Sequence, residues 1–183
     1  DLNPVEEAMG YQTLMQEYGM TQEDAAKQVG KSRPAVANAL RLLTLPQIIT
    51  DMIGKLMRIV YPGYSRDKSY RIYNAKHNLS MLIEDVMYNL NKQIKLILQT
   101  GMDDTEAREK AQQVCLEFFR RIPAVRATVQ TDVEAAFSGD PAATSTDEII
   151  FCYPGLFAIT VYRLAHVLYD LQVPMLPRIM TEY

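Results

Sequence analysis

Apolar residues recur every three to four positions along most of this chain, which is the period of an amphipathic helix. Two segments show this period over long stretches, Ser80 to Thr100 and Asp104 to Arg121. A third segment spans Leu156 to Gln172, and its predicted inward residues are Phe157, Val161, Leu164, Leu168 and Leu171. Patterns typical of strands are scarce. We therefore predict an all-α chain with a bundle of about five or six helices in its C-terminal part.

Glycines and prolines between the periodic segments predict where each helix ends. The predicted boundaries are Pro46, Pro62-Gly63 after a segment from Ile48 to Tyr61, Gly101, Pro123, the turn Ser138-Gly139-Asp140-Pro141, Pro154-Gly155 and Pro174. On this basis Ala124 to Phe137 forms a short helix of its own. Tyr64 to Asn78 has no strong period, which favours a loop or a weakly helical link.

The segment from Thr21 to Leu43 contains two short helices separated by a glycine, the pattern of a helix-turn-helix. Thr21 and Ser32 each precede a helix, where a hydroxyl can accept a free backbone N–H of the first turn. Gly30 ends the first helix, where a left-handed backbone costs glycine least. These features predict a helix-turn-helix subdomain ahead of the bundle.

The helix after Gly30 has an apolar face and a polar face. The side chains predicted to point inward are Val29, Val36, Leu40 and Leu43. The side chains predicted to bind DNA are Lys31, Arg33, Asn38 and Arg41, together with Thr21, Gln22 and Ser32. Guanidinium, ammonium and amide groups suit phosphate oxygens and base edges. An ordinary helical hairpin with a solvated charged face is the alternative interpretation.

Residues 1–46 resemble the DNA-binding region of ParB-type partition proteins, through the segments DLNPVEEAMGYQTLMQEYGM and TQEDAAKQVGKSRPAVANALRLLTLP. The first helix begins with Asn3 as a predicted N-cap, Pro4 at the first helical position and Glu6 for a capping box. The resemblance implies sequence-specific duplex binding by residues 21–43, with the helix that starts near Ser32 in the major groove. The family's nucleotide-binding and dimerisation regions have no counterpart in this sequence, so only DNA reading is implied.

Composition limits how strongly this segment can bind DNA. The 183 residues are 48% hydrophobic and carry a net charge of −3, so there is no global basic field. Acidic side chains also outnumber basic ones within residues 1–46. Any DNA affinity must therefore come from a local patch, and it should be weak in a monomer because few phosphates can be neutralised at once.

The two cysteines, Cys115 and Cys152, lie far apart, form no disulfide framework and fit a reducing cytosol. No signal peptide is recognisable, and no apolar run approaches the ~20 residues that span a bilayer. The sequence therefore predicts a cytoplasmic protein with no membrane partner.

Two further segments carry a second resemblance. The segments LMRIVYPGYS, from Leu56, and GDPAATSTDEIIFCYPGLFAITVYRLAHVLYDLQVPMLPRIMTEY, from Gly139, are similar to the N-terminal helical domain of bacterial serine O-acetyltransferases. We assign residues 47–183 to this likeness. It implies transfer of the acetyl group of acetyl-CoA to the hydroxyl of L-serine, toward cysteine. It also implies assembly into a homo-oligomer through the helical domain.

The same resemblance implies that Asp140 and Pro141 bind the substrate, because they match an Asp-Pro at the family's serine pocket. A carboxylate can bind the ammonium of a free amino acid through charge-assisted hydrogen bonds. From the residues alone, Asp140 as a helix N-cap with Pro141 at the first helical position is the commoner arrangement. The two roles are compatible, and both are kept.

The groups that would carry out acetyl transfer are not recognisable in this sequence. In that family, a β-helix of hexapeptide repeats binds coenzyme A and supplies a histidine as general base. No hexapeptide period occurs here, and a surface or packing role is predicted for His77 and His166. We expect no cofactor or metal in this chain, with acetyl-CoA only a substrate of the parent enzyme, and no activity in the chain alone.

Aromatic and basic residues alternate after Val60. They are Tyr61, Tyr64, Tyr70 and Tyr73 with Arg66, Lys68 and Arg71. Such residues can stack on and bind nucleic acid. A link that lies over the helical core is the favoured interpretation.

Several functions stay open on the sequence alone. The favoured one is a composite fragment or fusion, with a DNA-binding helix-turn-helix at residues 1–46 and an oligomerising acetyltransferase helical domain at residues 47–183 that is inactive alone. The second is the N-terminal part of a full-length serine O-acetyltransferase whose β-helix follows residue 183. A ParB-like DNA-binding or partition protein is the third. The least specific possibility is a structural or designed fusion in which neither half keeps its ancestral activity.

Overall fold

The structure, a computed structural model, describes residues 4–64, 74–99 and 101–182, without the side chains of residues 4–6, 38 and 41–46. Within these ranges the chain is helical and has no β-strand, which confirms the predicted all-α fold. The helices are α1 (Pro4–Glu17), α2 (Gln22–Gln28), α3 (Arg33–Val60), α4 (Ala75–Leu98), α5 (Asp104–Gly139), α6 (Thr146–Cys152), α7 (Pro154–Asp170) and α8 (Leu176–Glu182).

The chain forms two compact units, Asp1–Ile49 and Thr50–Tyr183, and α3 contributes residues to both. The core of the first unit is a cluster of buried and partly buried side chains: Tyr11, Ala26, Val29, Val36, Ala39 and Leu40. The inward orientation predicted for Val29, Val36 and Leu40 is therefore confirmed. The side chain of Leu43, also predicted to point inward, lies outside the described residues.

Helix α3 passes Pro46 without interruption, so the helix boundary predicted there is wrong. A proline inside a helix removes one backbone hydrogen bond and costs about 3 kcal/mol. Apolar positions after Pro46 keep the helical spacing, and the buried ones are Ile49, Met52, Ile53, Leu56, Ile59 and Val60. Burying a large apolar side chain contributes about 1.5–3 kcal/mol. Several such side chains outweigh the cost of one proline.

Helix α5 likewise continues past Pro123, so the stop predicted there and the separate helix Ala124 to Phe137 are both wrong. The buried residues of α5 are Ala107, Ala111, Val114, Cys115, Phe118, Ile122, Val125, Val129 and Val133. Their spacing of three and four is unbroken across the proline. Pro123 itself is exposed, so its ring displaces none of the buried side chains.

Helix α4 begins at Ala75, earlier than the predicted start at Ser80. The periodic apolar positions of this segment are buried at Val86, Leu90 and Ile94 and half-buried at Leu82 and Ile97. Of the alternating aromatic and basic run, Arg66, Lys68, Tyr70, Arg71 and Tyr73 lie outside the described residues.

Polar contacts connect α4 to α3 and to α5, and α5 also packs against α4. Lys55 of α3 donates to Asp85 of α4, with 2.5 Å between Nζ and Oδ2. Cys115 of α5 donates from Sγ to the backbone oxygen of Met87 at 3.4 Å. Burial raises the pKa of the Cys115 thiol to about 11, so this sulfur stays protonated and unreactive near neutral pH.

Helices α6, α7 and α8 complete the second unit, and α7 packs against α5 and α8. The inward orientation predicted for α7 is confirmed at Val161, Leu164 and Leu168, while Leu171 is half-buried. Phe157 is 45% exposed, so its predicted burial is wrong. The buried face starts one position earlier, at Leu156, and this turns Phe157 toward solvent. Among the described residues no single helix is long and apolar enough to cross a bilayer, and the pair α6 and α7 reaches that length and composition only across a 79° bend.

Candidate nucleic-acid interface and the Asp140 turn

Local hydrogen bonds fix both ends of α2. Thr21 Oγ1 accepts the N–H of Asp24 at 3.2 Å, and the Asp24 carboxylate accepts the N–H of Thr21 at 3.2 Å, which closes a capping box. At the other end Gly30 has φ +68°, the left-handed conformation predicted for it. There the N–H of Lys31 reaches the oxygen of Ala26 at 3.0 Å, which satisfies one free carbonyl of the helix end.

The turn leads directly into α3, whose start carries the candidate DNA-binding side chains. Ser32 Oγ accepts the N–H of Ala35 at 3.3 Å, so Ser32 caps α3 as predicted. Lys31 and Arg33 lie on either side of this cap, and both are exposed. Arg33 forms no ion pair with any residue in the described ranges. Its guanidinium is therefore available to a ligand.

The other candidate residues differ in how far their side chains are free to bind DNA. Thr21 uses its hydroxyl locally, because it also donates to Asp24 Oδ2 at 2.6 Å. Gln22 is half-buried. The side chains of Asn38 and Arg41 lie outside the described residues, so their place on the polar face of α3 stays a prediction.

Acidic side chains lie close to two lysines of this unit. Lys27 Nζ is 3.4 Å from Glu23 Oε1, and Lys31 Nζ is 3.6 Å from Glu7 Oε1. Glu7 also accepts a hydrogen bond from the hydroxyl of Tyr11. That bond lowers the pKa of Glu7, with a smaller contribution from Lys31, and raises the pKa of Tyr11 to about 12. Sequence reasoning did not single out Glu7 or Tyr11, because nothing in their spacing indicates a partner in the turn after α2.

In the second unit, Asp140 forms a turn rather than capping a helix. It follows the last residue of α5, and its Oδ1 accepts the N–H of Ala142 at 2.9 Å. Pro141 is exposed and lies in the turn before α6. The interpretation of Asp140 as a helix N-cap with Pro141 at the first helical position is therefore wrong. The N-cap of α6 is Ser145, whose Oγ accepts the N–H of Glu148 at 3.2 Å.

A tyrosine that sequence reasoning missed holds the other oxygen of Asp140. The hydroxyl of Tyr153, between α6 and α7, donates to Asp140 Oδ2. This bond, more than the one from Ala142, lowers the pKa of Asp140, and it raises the pKa of Tyr153 to about 12. The half-buried carboxylate is therefore charged near neutral pH and fixed in direction, as a group that binds an ammonium requires.

Among the described residues, neither of the two histidines forms a hydrogen bond or ring contact with the Asp140 turn. His166 is exposed. Its ring lies 5.8 Å from that of Tyr162 and 5.9 Å from that of Tyr169, tilted by 49° and 44°, and its Nδ1 is 3.4 Å from Asp170 Oδ2. His77 is exposed near the start of α4. Across the described ranges, no three His, Cys, Asp or Glu side chains converge as a metal site would need.

Tyr61 and Tyr64, the described members of the aromatic run, contact helices of the second unit. The Tyr61 hydroxyl lies 2.8 Å from Thr160 Oγ1, and the Tyr64 hydroxyl donates to Asp147 Oδ1 at 2.6 Å. The ring of Tyr64 is 5.3 Å from that of Phe151. These contacts favour the interpretation of a link over the core for this part of the run.

Comparison with known proteins finds two different similarities in this chain. The ParB HTH domain family matches residues 1–57. The chain is 53% identical to the stage 0 sporulation protein J of Bacillus subtilis over 55 residues, which are 30% of this chain and 20% of that protein.

The second similarity covers more of the chain. The chain is 33% identical over 135 residues to a protein of Synechococcus elongatus named "Serine acetyltransferase, plasmid". The matched residues are 69% of this chain and 42% of that protein. The chain is also similar to a crystal structure of serine acetyltransferase 1 from Entamoeba histolytica in complex with L-cysteine. The superposed region is 73% of this chain and 45% of the Entamoeba chain. The TM-score is 0.59 at 28% identity.

The chain joins a ParB-like helix-turn-helix to a serine acetyltransferase-like helical region. Both resemblances stated from the sequence are thereby confirmed. The chain spans less than half the length of each relative, 42% of the Synechococcus protein and 20% of the Bacillus protein.

Proposed function

We propose that this chain binds duplex DNA through the helix-turn-helix of residues 21–43. The observation that carries the proposal is the exposed guanidinium of Arg33 at the capped start of α3, where no described residue pairs with it. The first turn of a recognition helix is the part that contacts base edges in the major groove. Arg33 and Lys31 are the groups we assign to DNA, with Asn38 and Arg41 expected further along the same face.

We further propose that the second unit brings several copies of this reader together. Helix α7 exposes Ile159, Tyr162 and Tyr169, which are spaced three and seven residues apart and so share one face of the helix. A contiguous exposed apolar surface is typical of an interaction site. Association of copies compensates for the small basic patch, because a second bound helix-turn-helix adds its phosphate contacts at a high effective concentration.

Two measurements on the full chain test this function. Sedimentation should show an oligomer, and Tyr162→Asp on the exposed side of α7 should shift it toward the monomer. Anisotropy of a labelled mixed-sequence duplex should report binding that weakens steeply as salt rises. A chain that stays monomeric and binds no duplex at low salt would refute the proposal.

We propose that this chain alone does not transfer acetyl groups. The described histidines contact neither Asp140 nor its turn, and His166 is engaged by Tyr162, Tyr169 and Asp170. A serine hydroxyl needs a base within hydrogen-bond reach to attack a thioester. Release of free thiol from acetyl-CoA and L-serine by the purified chain would refute this.

A second candidate function is the supply of one wall of a serine pocket in a longer acetyltransferase. The observation that favours it is the fixed, charged carboxylate of Asp140, which suits the ammonium of L-serine. Sequencing the reading frame beyond residue 183 tests this function. If hexapeptide repeats follow, Asp140→Asn in that longer product should raise KM for serine more than it lowers kcat.

A further inference from the structure

An acidic side chain lies beside one of the two cations that flank the start of α3. Glu7 of α1 places its Oε1 3.6 Å from Lys31 Nζ, and the two side chains are 36% and 54% exposed. A charge-assisted hydrogen bond between such groups is shorter, about 2.7–2.9 Å. The carboxylate therefore offsets the charge of Lys31 without binding it tightly.

Glu7 is held in this position by the core of the first unit. The hydroxyl of Tyr11 donates to the same Oε1, and the ring of Tyr11 is only 6% exposed among Ala26 and Val36. The Tyr11 bond lowers the pKa of Glu7, so the carboxylate is charged near neutral pH. The carboxylate of Glu7 therefore stays next to the turn after α2, even when Lys31 binds another group.

We propose that Glu7 limits the affinity of the helix-turn-helix for the DNA backbone by competing with phosphate for Lys31. The proposal rests on the DNA-binding function proposed above. When Lys31 binds a phosphate, Glu7 keeps its hydrogen bond from Tyr11 but loses the neighbouring cation. Its negative charge then lies close to the DNA backbone and repels phosphate. Exposed ion pairs are weak, so phosphate still displaces Glu7, but at reduced affinity. Because this cost is independent of base sequence, Glu7 lowers the affinity for all duplexes alike.

Glu7→Gln in the full chain tests the proposal, because the amide oxygen still accepts from Tyr11 while the charge is removed. We measure binding to a short mixed-sequence duplex by fluorescence anisotropy between about 50 and 200 mM salt. Binding should tighten about two- to five-fold at the lower salt. The slope of log K against log salt should steepen by up to about one.

Glu17→Gln is the matched control. Glu17 is the last residue of the same helix, is exposed, and forms no ion pair with the part of the chain that the structure describes. Glu17→Gln changes the net charge by the same amount as Glu7→Gln, so a general charge effect would appear in both variants. The Glu7 effect should also vanish in a Lys31→Gln background, because the two residues then share no interaction.

Three results would overturn the proposal: weaker binding by Glu7→Gln, an equal gain in Glu17→Gln, or a Glu7 effect that persists without Lys31. If Glu7→Gln melts below the assay temperature, Glu7→Asp replaces it. Its shorter side chain withdraws the carboxylate, and the expected direction is the same. A wild-type chain that binds no duplex at the lowest salt would instead refute the proposed function itself.

Discussion

The guanidinium of Arg163 in α7 binds both carboxylate oxygens of Asp132 in α5. Its Nε lies 2.5 Å from Oδ2, and a terminal nitrogen lies 2.6 Å from Oδ1. The side chains are 32% and 16% exposed, so the pair is partly withdrawn from water. Two parallel hydrogen bonds between planar groups fix distance and orientation together. The pair therefore sets how two of the packed helices of the second unit meet.

Asp132→Asn should lower the free energy of unfolding by about 1.5–3 kcal/mol, because it leaves a partly buried guanidinium with one neutral partner. Urea unfolding followed by circular dichroism measures the loss. Glu117→Gln on the same helix is the control. Glu117 pairs with Arg121 at 3.0 Å, but both side chains are about 40% exposed and lie one turn apart on α5. That loss should stay near 0.5 kcal/mol or below, and equal losses in the two variants would contradict the argument.

The hydrogen bond from Tyr153 makes the titration of Asp140 a second test. Tyr153 and, to a smaller extent, Ala142 hold the pKa of Asp140 below its ordinary value of 3.8. A carboxyl whose pKa is lower in the folded state stabilises the fold above that ordinary value. This stabilisation is lost as the pH falls through the lowered pKa.

Tyr153→Phe should therefore raise the pKa of Asp140 toward 3.8 and make the unfolding free energy less sensitive to acid. Carbon NMR of the carboxyl groups across an acid titration measures the change. Asp24 is the internal control, since its lowered pKa comes from Thr21 in the other unit. An Asp140 titration that ignores the substitution would refute the assigned hydrogen bond.

The sequence predicted those features that depend on a few neighbouring residues. Thr21, Ser32 and Gly30 act within one turn of their own position, so a cap or a left-handed glycine is readable from spacing alone. The helix-turn-helix was predictable for this reason. The periodic stripes of α4 and α5 were predictable because their buried residues repeat over many turns.

Features that depend on residues far apart in the chain could not be predicted from the sequence. Pro46 and Pro123 are local signals for helix ends, but buried apolar residues follow Pro46 and lie on both sides of Pro123, and both helices continue. Tyr153 meets Asp140 only because α6 returns the chain to the end of α5. Glu7 meets Lys31 only because α1 packs beside α2. No short-range pattern encodes either contact.

Gly30 offers a test of the turn itself. Its φ of +68° is unfavourable for residues with a Cβ, although a Cβ there would meet no atom within 4 Å. Gly30→Ala should therefore cost about 1–2 kcal/mol from backbone conformation alone. Gly10→Ala in the interior of α1, where space is equally open, should instead stabilise by about 0.5–1 kcal/mol. Thermal unfolding of both variants measures the difference, and a Gly30→Ala variant that is stabilised as much as Gly10→Ala would show that the turn geometry is wrong.

Arg33 is the residue on which the DNA-binding proposal depends most. Arg33→Ala should weaken duplex binding by about 1–3 kcal/mol if the guanidinium reads a guanine. If it meets only phosphate, the loss should be smaller, equal for all sequences, and accompanied by a salt slope reduced by about one. Anisotropy titrations against a selected target and a scrambled duplex distinguish the two cases.

Arg126→Ala is the matched control for Arg33→Ala, since Arg126 is also an exposed arginine but belongs to α5 in the second unit. Arg126→Ala removes the same charge from the chain and should leave duplex affinity nearly unchanged, because Arg126 is not part of the helix-turn-helix proposed to bind DNA. If Arg33→Ala keeps wild-type affinity, Arg33 does not lie on the recognition surface. If both variants lose affinity equally, binding follows net charge rather than the start of α3, and the helix-turn-helix is not the reader.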